Sequence, residues 1–284
     1  MPRIAYVDGA FTPHRDACVG IEDRGLQFAD SVYEVWGVRN GRLMDSPGHL
    51  DRLFRSLGEL RIAFPVTREA LMIALEELRR RNRIRNGLLY LQVTRGVAPR
   101  DHGFPAQATP TMIATAKHIP QHKADARAKA GVSVVTAPDI RWGRCDIKTT
   151  GLTANILAKQ HAREQGAFEV WMLDADGYVT EGSSSNAWIV ASGDVLVTRP
   201  VTDNILAGVT RAAILRIAGE LGLTVEERAF TPQEAMDAKE AFMTSASSFV
   251  MPVISIDGAQ IGDGRPGETS VALRQGYEKL ALNA

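Results

Sequence analysis

Apolar positions recur first at strand spacing and then at helix spacing along the opening part of the chain. Ile4 to Val7, the Asp8-Gly9 pair and Ala10-Phe11 read as a strand, a tight turn and a strand. Val32 to Asn40 alternates loosely, and Asn40-Gly41 is a hairpin signal ahead of Arg42-Leu43-Met44. Leu50, Leu53, Phe54 and Leu57 then share one helical face from His49 to about Ile62. A second helix is expected from an N-cap at Thr67 to about Asn82, with Leu71, Ala74, Leu75 and Leu78 inward. Asn86-Gly87 ends it. Residues 88–94 and 111–117 read as strands separated by a loop rich in Gly and Pro, so this half is α+β.

Residues 118–130 are polar and contain Pro120, which reads as an interdomain linker. A strand at 132–136 follows, then a strand-like segment ending at Lys148, a Gly-containing turn and a helix over 154–164. Residues 168–173 form a strand that turns at Asp174-Ala175-Asp176-Gly177, and short strands are expected at 178–181, 187–190 and 195–198. A helix over 208–221 turns Ile214, Ile217, Ala218 and Leu221 inward. Strands at 223–230, 240–244 and 253–256 precede a closing helix over 269–282. The expected organisation is a small α+β domain over 1–118, a linker over 119–130 and a larger mixed domain over 131–284 that carries Lys148. A chain of 284 residues supports that much core.

Composition narrows the function classes. Lys and Arg number 33 and Asp and Glu 33, so nothing points to nucleic acid or an anionic membrane. Arginine dominates the positive charge. Its planar fork grips carboxylates and phosphates, which keeps small anionic substrates in view. Cys18 and Cys145 make neither a metal spacing nor a disulfide framework, so no metal is expected. The start, Met1-Pro2-Arg3-Ile4-Ala5, lacks the apolar core of a signal peptide, and no apolar run reaches the length of a membrane span. A cytoplasmic location is the expectation.

Six stretches could carry chemistry. The chain has only seven lysines, none before Lys117. Lys148 has apolar Ile147 before it and Thr149-Thr150-Gly151 after it. That setting suits an amine whose desolvation favours the neutral, nucleophilic form needed for a Schiff base; the alternative is a surface lysine after a strand. Gly208-Val209-Thr210-Arg211 opens a helix, where unpaired amides form an anion site, or simply a cap. Thr180-Glu181-Gly182-Ser183-Ser184-Ser185-Asn186 sets one carboxylate beside small hydroxyl residues, either to hold a cationic ring nitrogen or as a polar loop. Arg52, in His49-Leu50-Asp51-Arg52, lies near the edge of the buried face, as a bidentate phosphate clamp or as an ion pair with Asp51 or a neighbouring Glu. Arg100 and His102 alternate in one loop and can trap a carboxylate, or the loop is merely basic and solvated. Tyr33 offers a phenol on a strand, for a substrate or for partial burial.

Taken in order, these segments resemble the fold-type IV pyridoxal-phosphate enzymes, the family of branched-chain and D-amino-acid aminotransferases, most closely its D-amino-acid branch. The match runs through Tyr6-Val7-Asp8-Gly9, Asp23-Arg24-Gly25, Val32-Tyr33-Glu34-Val35, His49-Leu50-Asp51-Arg52-Leu53 and Gln92-Val93-Thr94-Arg95-Gly96. It continues through Arg100-Asp101-His102, Asp139-Ile140-Arg141-Trp142, Arg144 to Lys148, Asn155 to Gln160, Thr180 to Asn186 and Ile205 to Arg211. Each motif is modest; the ordered set is specific.

The resemblance implies the two-domain fold-type IV architecture, α+β in the small domain and mixed and barrel-like in the large one, with pyridoxal 5'-phosphate between the domains. It implies that Lys148 forms the Schiff base and moves the proton, that Glu181 partners the ring nitrogen, and that Arg52, Val209, Thr210 and Ser245 bind the phosphate. Ser184, Asn186, Leu206 and Ala246 join the cofactor-binding set. Tyr33, Arg100 and His102 become the carboxylate trap, with Val35 and Ser185 beside the substrate. In that family the arginine and histidine come from the neighbouring subunit, so a homodimer is implied. The substrates would be D-amino acids and 2-oxo acids. Ala246 and Phe249 stand where relatives often carry Thr and Glu, and Thr149-Thr150-Gly151 is smaller than usual for the D-amino-acid branch.

Other chemistries share the resemblance. A branched-chain L-aminotransferase would lack the paired Arg100 and His102. An (R)-amine transaminase needs a site open to substrates without a carboxylate. An aminodeoxychorismate lyase would eliminate pyruvate with no keto-acid acceptor. A non-catalytic relative would bind cofactor without turning over.

Overall fold

A computed structural model describes residues 3–64 and 66–283. Met1 and Pro2 of the N-terminal reading, and Ala284 of the second-domain range, lie outside the described residues. The chain divides into two compact units. One runs to Pro120 and takes back Ile147–Gly151; the other holds Gln121–Asp146 and the chain from Leu152 onward.

The first unit opens with β1 (Ile4–Val7) and β2 (Ala10–Pro13), then α1 (Arg24–Phe28), β3 (Ser31–Arg39) and β4 (Arg42–Leu43). α2 (Ser46–Glu59), α3 (Arg68–Arg81), β5 (Gly87–Thr94) and β6 (Met112–His118) follow. The strands form one antiparallel sheet in the order β2-β1-β6-β5-β3-β4. Asn40 and Gly41 both take positive φ, 51° and 82°, which is what the two-residue hairpin between β3 and β4 requires. Thr67 caps α3 by accepting from the Ala70 amide.

β3 has two distinct faces because side chains alternate along a strand. Val32, Glu34 and Trp36 are fully buried, the apolar pair packing with Leu89, Leu91 and Val93 of β5 and Leu50, Leu53 and Leu57 of α2. Tyr33 and Val35, on the other face, are half-buried. Burying one such large apolar side chain contributes roughly 1.5–3 kcal/mol, so this core fixes the register that sends Tyr33 outward.

The second unit contains α4 (Gln121–Ala130), β7 (Val132–Pro138), α5 (Thr153–Glu164), β8 (Glu169–Leu173), β9 (Val179–Gly182) and β10 (Asn186–Val190). It continues with β11 (Leu196–Thr198), α6 (Val209–Glu220), β12 (Val225–Glu227), α7 (Pro232–Met236), β13 (Glu240–Ser245), β14 (Phe249–Ile256), β15 (Ala259–Gln260) and α8 (Glu268–Asn283). Its sheet is mixed, in the order β12-β11-β10-β13-β14-β7-β8-β9, with β15 on β14. β9 ends the sheet while β10 lies well inside it, yet a tight turn joins them, with the Gly182 amide donating to the Ser185 carbonyl at 2.7 Å. A sheet with that connection must curl back on itself.

Four expectations are corrected. Residues 121–130 are the helix α4 of the second unit and not a linker; only its Ala128 is buried, so it shows no apolar stripe. Lys148 ends no strand and clusters with the first unit, because the Tyr33 amide donates to its carbonyl at 3.0 Å, Thr149 bridges Val32, and Ile147 is in the first core. The expected strand at 223–230 shrinks to β12, and β14 starts at Phe249, before Pro252. Pro252 is tolerated there because pairing with β7 begins only at Val253, leaving β13 as its one neighbour in the ladder.

Candidate active site

In the first unit the amine of Lys148 lies 4.2 Å from the centre of the Tyr33 ring. Its backbone amide donates to Ser56 Oγ, at 3.4 Å. No carboxylate pairs with this amine among the described residues. Tyr33 stacks on Tyr90 at 5.7 Å, and the Tyr90 hydroxyl donates to Gln92. Burial, with the nearby Tyr33, pushes the Tyr90 phenol up to about 12, so it stays a neutral donor. Ser31 and Thr150 hydroxyls meet at a short contact beside Gln92, and the Thr150 amide donates to the Ser31 carbonyl. The segment from Lys148 to Thr150 is thus sewn to β3 by backbone bonds from the Lys148 carbonyl and the Thr150 amide, and Val35 follows Tyr33 on the same face.

Arg52 is placed by α2 and is only 9% exposed. Its Nε and Nη2 donate to Glu34 Oε1 and Oε2 at 2.7 and 2.8 Å. His49, one turn earlier, reaches Glu34 Oε2 through Nδ1 at 2.8 Å. Burial alone would raise the Glu34 carboxyl, but the Arg52 charge and its hydrogen bonds, aided by His49, bring it down to about 2. Burial pushes His49 the other way, below its ordinary value, so the imidazole is neutral and donates from Nδ1. Glu34 therefore fixes where the Arg52 guanidinium sits, a role the sequence offered only as an ion pair with Asp51 or a neighbouring Glu.

Arg100 and His102 lie exposed on the loop after β5. Both side chains border one ring, Phe28 of α1: the Arg100 guanidinium carbon is 5.2 Å from its centre and the His102 ring 5.5 Å. The alternation read from sequence does place them on a common side.

In the second unit Glu181, on β9, is 4% exposed. Its Oε1 accepts from Arg141 Nη1 at 2.5 Å and from the Leu206 amide at 3.1 Å, and its Oε2 accepts from Asn186 Nδ2 at 2.9 Å. Asn186 also donates to the Leu206 carbonyl. Arg141 is itself gripped by Asp139 through both carboxylate oxygens, and Thr180 donates to the same Asp139. Burial works against the charged forms, yet the pair holds Asp139 below and Arg141 above their ordinary ranges. Glu181 is therefore an acceptor held in place by Arg141, Asn186 and the Leu206 amide. Arg141 belongs to one of the motifs above, but its role is not legible in the sequence; a buried arginine two residues after an aspartate carries no periodic signal.

Gly208 caps α6 without a side chain, and Val209 and Thr210 begin the helix. A Cβ on Gly208 would stand 2.0 Å from Asn186 Oδ1. We expect Gly208→Ala to push Asn186 off Glu181 and cost ~1–3 kcal/mol in urea unfolding; an unchanged midpoint would show that the contact yields freely. Ser184 and Ser183 donate to buried Glu169, and Ser185 contacts the Met243 sulfur at 3.4 Å. Ser245 and Ala246 sit at the turn from β13 to β14, where the Ser248 amide donates to Ser245 Oγ. Phe249 takes a positive φ of 59° and packs on Tyr277. Cys145 is half-buried and its thiol is pushed up to about 11 by burial, which leaves it unreactive.

Residues 31–256 match the model of the amino-transferase class IV family, and the chain belongs to that family. It is 46% identical over 276 residues to the D-alanine aminotransferase of Bacillus licheniformis, covering 97% of this chain and 96% of that protein. It is 40% identical over 283 residues to the D-alanine aminotransferase of Listeria monocytogenes, covering 98% and 96%. Among solved structures, the Escherichia coli branched-chain amino acid aminotransferase superposes with a TM-score of 0.91 at 26% identity, over 99% of this chain and 95% of that one. The branched-chain aminotransferase of Thermoproteus uzoniensis, solved with norvaline, gives 0.85 at 27% identity, over 99% and 95%. Another branched-chain amino acid aminotransferase, solved with pyridoxamine 5'-phosphate, gives 0.90 at 27% identity, over 100% and 95%. The architecture is fold-type IV, as the resemblance implied: α+β, with a mixed, curled sheet in the second unit.

Proposed function

We propose that the protein moves the amino group of D-amino acids to 2-oxo acids, with pyridoxal 5'-phosphate as cofactor. The observation that carries this reading is 46% identity to a D-alanine aminotransferase across 97% of the chain. The superposed branched-chain enzymes share the backbone at 26% and 27% identity, so the backbone alone does not separate the two branches.

The donor set fits the cofactor. Lys148 offers a primary amine over an aromatic face, Glu181 a buried carboxylate, and the start of α6 a run of amides without a side-chain cap. When bound, the cofactor supplies an electron sink for the charge left as the Cα–H bond breaks. Lys148 is the residue that would hold it and that would move the proton at Cα. Glu181, held by Arg141 and Asn186, would accept from the cofactor's ring nitrogen. Arg52 of the first unit, and Val209, Thr210, Ser245 and Ala246 of the second, are the residues that would hold the phosphate; Leu206, Ser184 and Asn186 would hold the ring. Tyr33, Arg100 and His102 bind the substrate carboxylate, and Val35 and Ser185 line the space for its side chain.

Arg100 and His102 act from the neighbouring subunit of a homodimer. Their loop supports this, since it carries exposed apolar side chains: Phe104 is 57% and Val97 49% exposed. No helix among the described residues is long and apolar enough to cross a membrane; we place the enzyme in the cytoplasm.

A carboxylate held at a fixed place decides which hydrogen on Cα faces Lys148. Single-turnover bleaching of the yellow enzyme should therefore run at least ~100-fold faster with D-alanine than with L-alanine. Equal rates, or faster reaction with L-leucine, would replace this reading with the branched-chain one.

A further inference from the structure

α1 and the loop after β5 are joined by a buried arginine that the chemistry above does not use. Arg24 is 3% exposed. Its Nε donates to Asp30 Oδ2 at 2.8 Å, its Nη1 to the Asp101 carbonyl at 2.6 Å and its Nη2 to the His102 carbonyl at 3.4 Å. Asp30 is clamped from the other side by Arg95, through Nε at 2.7 Å and Nη2 at 2.9 Å. Arg95 in turn donates to the carbonyls of Leu60 and Arg61, just past the end of α2. One carboxylate thus lies between two guanidiniums, and four backbone carbonyls meet the surplus positive charge. That surplus explains why Arg24 seeks the loop carbonyls rather than a second acid.

The base of this connection is fixed by hydrogen bonds and by two closely approached glycines. Asp23 caps α1 through the Gly25 amide at 2.8 Å and accepts from Thr94 at 2.9 Å, and Thr94 accepts from the Gly96 amide. The Arg24 amide donates to the Gly96 carbonyl. Gly25 sits against Thr94, where a Cβ would come within 2.4 Å, and Gly96 has φ +101° with the Thr109 carbonyl 1.9 Å from any Cβ. Asp23-Arg24-Gly25 and Thr94-Arg95-Gly96 are two halves of one joint. Above it, Phe28 is shared by three cationic or imidazole groups, Arg24 at 4.8 Å, Arg100 at 5.2 Å and His102 at 5.5 Å.

We propose that Arg24 and Phe28 are positioning residues for carboxylate recognition: Arg24 fixes the two carbonyls around which the Arg100-Asp101-His102 loop turns, and Phe28 sets the spacing of the Arg100 and His102 side chains. The proposal rests on Arg100 and His102 being the carboxylate trap. Hydrogen bonds to consecutive carbonyls fix the peptide planes of residues 101 and 102, and a peptide plane fixes the direction of the side chains on either side of it. Arginine alone supplies three divergent donors here; lysine cannot reach Asp30 and both carbonyls with a single ammonium group.

The test uses holoenzyme variants Arg24→Lys and Phe28→Leu, with Arg100→Ala as reference, in steady-state and single-turnover reactions with D-alanine and 2-oxoglutarate. Both substrates carry the carboxylate, so KM for both should rise together, about 10-fold for each positioning variant, while kcat stays within about 3-fold. Arg100→Ala should shift KM in the same direction and further. A raised KM in Arg100→Ala with neither positioning variant affected would overturn this proposal and leave the trap standing. No change in Arg100→Ala would overturn the trap and this proposal with it. A fall in kcat at constant KM in both positioning variants would mean that Arg24 and Phe28 only support the fold, which also overturns it. Phe28→Leu keeps the answer open to measurement should Arg24→Lys fail to fold.

Discussion

Lys148→Ala is expected to lower turnover of D-alanine and 2-oxoglutarate by ~10³-fold or more, with the folded state kept. On the proposed reading two functions go with one side chain: the cofactor anchor, and the base that moves the Cα proton, a role commonly worth ~10²–10⁴-fold by itself. The fold should survive, because the segment is held through its backbone. The Tyr33 amide donates to the Lys148 carbonyl, Thr149 bridges Val32, and Ile147 occupies the core, none of which involves the amine. Stopped-flow and steady-state assays of the purified variant, with a urea unfolding curve beside them, check both halves. Turnover within ~10-fold of the parent would remove Lys148 from the chemistry.

Glu34→Ala should cost ~3–5 kcal/mol of stability, the loss seen when one partner of a buried ion pair is removed. Glu34 is wholly buried and receives Arg52 in a two-pronged grip together with His49. Without it the guanidinium stays in a site that excludes water. The same residue makes a pH prediction. Its folded carboxyl lies at about 2, against an ordinary 4.5, so its contribution is complete above pH 4.5 and fades as pH falls toward 2. Unfolding midpoints of the parent should drop across that window, and those of Glu34→Gln should drop less. Since Arg52 is our phosphate ligand, cofactor affinity should weaken in both variants. A Glu34→Ala protein within ~1 kcal/mol of the parent would mean that Arg52 finds another acceptor.

The pairing of Glu34 with Arg52 illustrates why parts of the site escaped a reading of the chain. The residues are 18 positions apart, one on a strand and one on a helix, and both look like ordinary surface charges in a linear string. The same holds for Arg141 on Glu181, 40 positions away, and for Arg24 on the carbonyls of Asp101 and His102. Carbonyl acceptors leave no trace in composition at all. By contrast Thr67, Asn40-Gly41 and the Leu50, Leu53, Leu57 face were legible, because caps, turns and amphipathic faces are written within a few residues. The five-residue α1 and α7 were missed because they are too short for a helical period to appear, and α4 because its surface is polar almost all round.

The linear string was enough for the order of most strands and helices and for the family, and it singled out Lys148 as the candidate amine. Each rests on local spacing or on an ordered set of short motifs. It took the folded chain to reveal that the lysine segment returns to the first unit, that Glu34 and Arg141 fix the charged groups beside them, and that Arg24 ties down the loop of Arg100 and His102. Those outcomes depend on which distant groups share a volume emptied of water. There an unpaired charge costs several kcal/mol, so the fold must bring a partner from wherever in the chain it lies.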